Sequence, residues 1–573
     1  MRCGCLLRTG VGAISLAGAA WAQADASPPA GGQSTTTNPE TPLVRVTTRL
    51  VQLNVTARDH HGKPIPGLTK EDFVVTDQGK ERKISVFRME STLPTPGPPA
   101  KLMPRNQFSN RVDRQSQVPT SVTVVLIDSL NTPFKDQARA RHQVLQFLRQ
   151  IRPEDRIALY SMSARGIRVI HDFTNNSGAL MTALARTMPE LSRDLTDTER
   201  DQINLEERVD YNSPLEGFAA DSRDAEATFF ARDRVLNTCT VMKVLANHLA
   251  SISGRKNLVW VSGGFPISFG FGDPAVENPL RNHFSEMYNE YIEDASRAMG
   301  SANVAVYPVD ARGLFGLPLF DASKQIRMNQ GTRQPSPEMI HVDHRNFDTM
   351  NYLADLTGGK AFYNTNDING AIRKAIDDSA ITYTLGYYTA EEDWDQKFHR
   401  IKVKVRRSGV SVRTKKGYFA SSERTPSAKE LARATYDAMW SPLDASNIGL
   451  SAQIDPSPGI ALASRITALV DPLDLTFQQT AGRFNGSADV VIAQLTKRGK
   501  RIADKKGTIN LALKPETYQA IVKDGLRFTE DLKLDRETES VRLVVVDRGT
   551  GAVGTLTMPV LAQDKSGAAV QQH

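Results

Sequence analysis

The sequence predicts a multidomain α/β plus all-β chain. One Rossmann-like domain, a central mostly parallel sheet with helices on both faces, is flanked by β-sandwich domains. Three observations predict this. Strand and helix patterns alternate from residue 120 to 380, as parallel strands joined by crossovers require. Apolar and polar residues instead alternate with period two in 43–92, 381–425 and 456–565, the pattern of half-buried strands. Finally, the apolar run Val122–Ile127 ends in Asp128, followed by Thr132, Pro133 and an amphipathic helix. A carboxylate at the carboxyl end of a buried strand, facing a helix N-terminus, is where open α/β sheets place their ligand sites.

The N-terminus reads as an export signal over 1–24. Arg2 and Arg8 precede an apolar stretch from Val11 to Ala20, and Ala20-Trp21-Ala22 is a small-x-small cleavage site. Cleavage there removes Cys3 and Cys5 and leaves only Cys239, so no internal disulfide is expected and the cores must carry stability. The chain of 573 residues is long enough for roughly three or four domains. No other segment has the ~18 uninterrupted apolar residues of a membrane span. The net charge of +7 is small for this length. Basic clusters at Lys402–Arg407, Arg413–Lys416 and Lys497–Lys506 fall on predicted strand edges and turns, where charge guards unpaired backbone. The other reading of such clusters is an anionic-surface or nucleic-acid face; no nucleic-acid partner is expected.

Residues 25–42 are rich in Ala, Ser, Pro, Gly and Thr and predict a disordered linker. Alternation from Val44 to Ala57, a turn at Asp59–Pro64, and strands over Phe73–Thr76 and Lys83–Arg88 form an N-terminal β segment, 43–92. A Pro- and Arg-rich linker, 93–119, follows. Within 120–380, Phe134, Ala138, Leu145, Leu148 and Ile151 share a helical face. Strands are expected at Arg156–Ser161, Ile167–Asp172, Leu258–Val261, Val304–Val309 and Ala361–Tyr363. Helices are expected at Ser177–Thr187, Val235–Ile252, Met287–Met299, Phe347–Thr357 and, capped by Asn366, Ile368–Ser379. Segments 190–230, 264–285 and 312–345 read as insertions. A β extension (381–425), a helical linker (426–455) and a C-terminal β-sandwich (456–565) complete the chain. The segments 43–92 and 381–420 are candidates to pair into one sandwich, with the α/β domain inserted between them.

Several motifs carry a resemblance. They are Asp59-x-x-Gly-Lys-Pro with Gly67-Leu-Thr-x-x-Asp-Phe, Leu126-Ile-Asp-Ser-Leu-Asn-Thr, and Gly254-Arg-Lys-Asn-Leu-Val-Trp-Val-Ser-Gly-Gly-Phe-Pro. Tyr307-Pro-Val-Asp-Ala-Arg-Gly, Leu353-Ala-x-Leu-Thr-Gly-Gly-Lys-Ala-Phe-Tyr-Asn and Tyr383-Thr-Leu-Gly-Tyr-Tyr follow. In combination and order they resemble the VWFA-related proteins of the acidobacterial type, which carry a von Willebrand factor A (VWA) domain. The resemblance covers 43 to about 420 and implies an exported, non-enzymatic adhesion or scaffolding module.

It also implies a cation site. In VWA domains a strand-end Asp-x-Ser-x-Ser motif, a Thr and a second Asp hold Mg²⁺ or a similar hard cation, which needs oxygen ligands. Here Asp128 matches the first ligand and Thr132 the third, while Leu130 stands at the middle hydroxyl. Gly263 stands where the second carboxylate follows a strand, and Thr228 is the candidate for the central Thr. A weak Mg²⁺ or Ca²⁺ site built from Asp128, Asn131 and Thr132 is one expectation. The other is structural: Thr132-Pro133 as a helix cap and first helical proline, with Asp128 accepting backbone N–H groups from its own turn.

Other constellations read as structural. His341-Val-Asp343-His344 and Gly270-Phe-Gly272 lie in insertions, Asn364–Gly370 caps a helix, Cys239 is a small core residue, and Asp310 pairs with Arg312. No Gly-x-Ser-x-Gly, His-Glu-x-x-His or phosphate-loop signature occurs, so no catalytic residues are expected. The expected function is non-enzymatic protein–protein interaction or cell adhesion, in a secreted or periplasmic envelope protein. The alternatives are a hydrolase with its site in the insertions, or a purely structural envelope protein.

Overall fold

A computed structural model describes residues 49–91, 106–111, 121–190, 214–252, 254–264, 279–314, 349–389, 394–395, 397–420, 425–456 and 463–560. The export signal, the 25–42 linker, most of the expected insertions and both His341 and His344 lie outside them. Among the described helices none is long and apolar enough to cross a membrane.

The chain begins with strands β1 (Arg49–Arg58), β2 (Phe73–Asp77), β3 (Lys80–Arg82) and β4 (Val86–Ser91). These do not close on themselves. Strand β5 (Gln107–Ser109) follows, then the α/β unit with β6 (Ser121–Asp128), β7 (Ile157–Ser163), β8 (Gly166–Thr174), β9 (Arg255–Ser262) and β10 (Val304–Asp310). Its helices are α1 (Phe134–Leu148), α2 (Ser177–Ala185), α3 (Pro214–Leu249), α4 (Pro279–Ser301), α5 (described over 349–357) and α6 (Ile368–Asp377).

The central sheet has the order β10-β9-β6-β7-β8. All its neighbours are parallel except the β7–β8 hairpin. The sheet is thus mostly parallel, as the strand–helix alternation predicts, and the two-residue link between β7 and β8 is too short for a crossover. The sheet is apolar on both faces, as parallel strands covered by helices must be. Val124 and Leu126 of β6 join Trp260, Leu245 and Ile292 in one core, beneath α3, α4 and α5. Val125 joins Val144, Phe147, Leu180 and Ile372 in the other, beneath α1, α2 and α6. Each such fully buried side chain contributes about 1.5–3 kcal/mol of transfer free energy.

After the α/β unit come β11 (Ile381–Thr389), β12 (Phe398–Val405), β13 (Ser411–Arg413) and β14 (Gly417–Phe419). They interleave with the first four strands: one sheet runs β13-β1-β11-β4, the other β14-β12-β2-β3. Leu53, Val55, Phe73, Tyr383, Leu385 and Val403 fill the space between them. The α/β unit is thus spliced into a sandwich whose halves lie some three hundred residues apart in sequence, with Leu53 opposite Leu385.

The C-terminal unit comprises α7 (Ala428–Trp440), β15 (Leu450–Pro456), β16 (Ala463–Val470), β17 (Gln478–Thr480), β18 (Arg483–Leu495), β19 (Arg501–Leu513), α8 (Pro515–Asp524), β20 (Leu526–Lys533), β21 (Ser540–Asp547) and β22 (Val553–Pro559). Two sheets face each other across Leu450, Ile466, Ile492 and Leu543.

Five expected segments change. Residues 107–109, expected in a linker, form an edge strand antiparallel to β15, because Ser109 Oγ and the Asn110 amide tie them to Leu450 and Ile448. The helix 428–440 is no free linker either: its capping box at Ser427 and Glu430 starts it, and Leu431 and Met439 cover the outer face of β18 and β21. The 190–230 and 264–285 insertions end in helix, since α3 and α4 begin at Pro214 and Pro279. The expected strand Ala361–Tyr363 is reduced to one bridge, Phe362 beside Val309.

Candidate functional site

The carboxyl ends of β6, β9 and β10 bring the sequence-derived candidates together. Asp128 closes β6 and is 1% exposed. Its Oδ1 accepts from the Leu130 and Asn131 amides, both at 2.9 Å. Its Oδ2 accepts from Asn131 Nδ2 at 2.9 Å, Trp260 Nε1 at 3.0 Å and Ser262 Oγ at 2.7 Å. Burial pushes the pKa of this carboxyl up, and the donors from Ser262, Asn131 and Trp260 oppose the rise.

Each partner has a local reason. Trp260 is buried in the core between the sheet and α3, and a buried indole N–H needs an acceptor. Ser262 ends β9, beside β6, so its side chain meets the end of that strand. Asn131 spans the gap to α3, donating also to Thr238 Oγ1 at 3.0 Å, and Thr238 in turn donates to the Arg234 carbonyl. Leu130, at the middle hydroxyl position, is buried in the apolar core.

Thr132 does not cap α1. The residue before the helix is Pro133, and the Thr132 hydroxyl accepts from the Gly263 amide at 2.9 Å. That contact explains why residue 263 is glycine. A Cβ there would lie 2.8 Å from the Asn131 carbonyl oxygen and 2.9 Å from Pro133 Cδ. No carboxylate can be carried at 263 while these loops touch.

These residues therefore do not fit a hard cation. Among the described residues one carboxylate is present here, its oxygens already receive five donors, and the place of the second carboxylate is filled by backbone contact. Mg²⁺ or Ca²⁺ would have to displace an indole and a hydroxyl from a buried carboxylate. Asn131 keeps one buried amide oxygen that finds no partner among the described residues, a single neutral ligand.

Asp310, at the end of β10, is likewise occupied. Arg312 donates to it through Nε and Nη2, both at 3.0 Å, and through its amide. Arg139 of α1 donates to the carbonyls of Ala311 and Arg312, and Asn366 Oδ1 accepts from the Leu314 amide. Asn366 thus holds this turn, and the α6 cap is Asp367, whose Oδ1 accepts from Gly370. The strand-end turns form one fixed rim.

Sequence reasoning missed Trp260 and Ser262 as partners of Asp128, and Thr238 as the partner of Asn131. Thr238, on α3, is the threonine that meets Asn131; the side chain of Thr228, the candidate from the sequence, lies outside those described. Cys239, next along α3, is a buried thiol whose pKa burial pushes up to about 12, as suits an inert core residue.

The rim carries exposed apolar groups. Phe134 starts α1 after β6 and is 52% exposed; Leu314 follows β10 and is 61% exposed. Tyr363, beside the Phe362 bridge, is 40% exposed, and Met188 is 80% exposed. Met188 borders a shallow cleft over the ends of β6 and β7, lined by Ser129, Gln137, Met162, Ile170 and Leu184. Gln137 donates to the carbonyls of Thr132 and Glu190, while its own amide oxygen is buried without a partner among the described residues.

No family model matches the chain, and no curated protein matches it. Among solved structures, "Crystal Structure of the SpRpn10 VWA domain" is similar, at 13% identity over 33% of this chain and 74% of that chain, with a TM-score of 0.16. A likeness that distant carries nothing about ligand or partner.

Proposed function

We propose that the protein is an exported, non-enzymatic binding protein whose α/β unit is of the VWA type and engages a protein partner through the carboxyl-end rim without a cation. The observation that carries this reading is the group of exposed apolar side chains at this end of the sheet, Phe134, Met188, Leu314 and Tyr363, beside a turn that Arg139 and Asn366 hold. Exposed apolar side chains gathered on a rigid support mark protein contact surfaces. Saturation of Asp128 by internal donors supports cation-independent contact, in which the carboxylate orders the loops instead of reaching the partner. Export rests on the signal-like residues 1–24, which lie outside the described region.

A photo-crosslinking residue at 314 or 363, in cells or envelope extract, tests the reading. The expected result is one discrete protein adduct from both positions, unchanged by EDTA and lost when Phe134→Glu is added. Adducts identical to those from a remote position such as 436, on α7, would overturn it. A requirement for Mg²⁺ would overturn the cation-independent part.

A further inference from the structure

At the opposite, amino end of the parallel sheet, a small polar pocket lies in the seam between the α/β unit and the first sandwich. Gln52, Asn54, Arg255, Asn303, Thr357 and Lys415 line it, and none of its described lining residues is acidic. Arg255 is 2% exposed and opens β9. One arm of its guanidinium donates to the Tyr307 hydroxyl at 3.0 Å and the Gly358 carbonyl at 2.7 Å, but its Nε is buried and finds no partner among the described residues.

Among the described residues, cations outnumber carboxylates around the pocket, even counting Glu90, which accepts from the Arg255 amide and faces Lys256. Asp378 receives Arg58 Nε at 3.0 Å, Arg413 Nη1 at 2.7 Å and Tyr307 OH at 2.6 Å, and stands 3.9 Å from Arg255. One carboxylate thus faces three guanidiniums, and Lys415 adds a fourth cation two residues beyond Arg413. Lys415 as a residue keeps intermediate exposure, yet its amine is desolvated with nothing opposing, which pushes its pKa down to about 8. Buried cations without counter-charge are costly.

We propose that this pocket binds a small inorganic anion of the chloride class, held by Arg255 Nε and the Lys415 amine with the amides of Gln52, Asn54 and Asn303 around it. The anion supplies the missing negative charge. It ties the turn between β13 and β14 to the ends of β9 and β10, and so fastens the sandwich to the α/β unit.

The test is thermal unfolding of the full chain in sodium chloride and in sodium gluconate at equal ionic strength. Wild type and Lys416→Gln, a neighbouring charge change that leaves the pocket intact, should gain about 2–4 °C in Tm in chloride. Lys415→Gln should lose that increment. The increment should also fade above pH 8 as the amine loses its proton. Equal Tm in both salts for wild type, or an increment kept by Lys415→Gln, overturns the proposal. If Lys415→Gln does not fold, wild-type crystals grown in bromide decide: one anomalous peak between Arg255 and Lys415 supports the site, and an empty pocket overturns it.

Discussion

At the scale of single residues, Asp128 works by what it collects. Five donors from its own turn, β9 and Trp260 converge on one buried carboxylate. Trp260→Phe keeps the ring in the core and deletes one donor, so it should cost about 1–2 kcal/mol. Asp128→Ala strands all five and should cost more, about 3–5 kcal/mol. Urea unfolding checks the order, with and without millimolar Mg²⁺. A cation-dependent wild-type midpoint would show the carboxylate is open to metal after all. The position of Asp128 was legible in the sequence, because a β-forming run ending in a carboxylate before a helix has a unique place in an open sheet. Its partners were not. Trp260 and Ser262 lie more than a hundred residues away, as does Thr238, which Asn131 reaches, and period-two patterning gives a strand's faces, not which neighbour its end will meet.

At the scale of elements, close backbone approach fixes how the α5 turn meets β10. Gly358 ends the helix with φ +78°, the left-handed step that favours glycine after a helix. Gly359 then packs on β10 so closely that a Cβ would lie 1.9 Å from the Val306 carbonyl oxygen. Gly359→Ala should therefore displace backbone and lower Tm severely, by the equivalent of about 3 kcal/mol or more. Gly409→Ala, at φ +74° with open space around it, should cost only about 1 kcal/mol. Comparable losses at the two sites would refute the packing argument. The sequence shows a Gly-Gly punctuation here but not which glycine is steric. The same limit explains why β5 and α7 read as linkers. Three residues are too few for a periodic signal, and the face of α7 that packs on β18 and β21 is apolar only over Leu431, Ala438 and Met439.

At the scale of the whole molecule, the seam between the spliced sandwich and the α/β unit is where titration should be felt. Lys256 is buried there and donates to the Ala302 carbonyl at 2.7 Å. Burial pushes its pKa down to about 8, against a pull upward from Glu90 on β4. Glu90 is itself pushed up by burial. A native lysine pKa near 8 lies below the unfolded value of about 10.4, so between those limits the unfolded chain holds more protons and stability rises with pH. Lys415 acts in the same direction when no anion is bound. Glu90 has the opposite sign: its stabilising share, full below the ordinary glutamate range, is lost as pH climbs through its raised native pKa. The phenols of Tyr160 and Tyr307 are pushed up by burial. Above pH ~10 the unfolded tyrosines therefore ionise first and stability falls. Measured in gluconate, unfolding free energy should climb from pH 8 towards about 10 and then turn down. Lys256→Met should remove part of the climb and Lys415→Gln the rest. A steady decline from pH 7 in the wild type would mean that these two amines are solvated and that the seam is wetter than its packing implies.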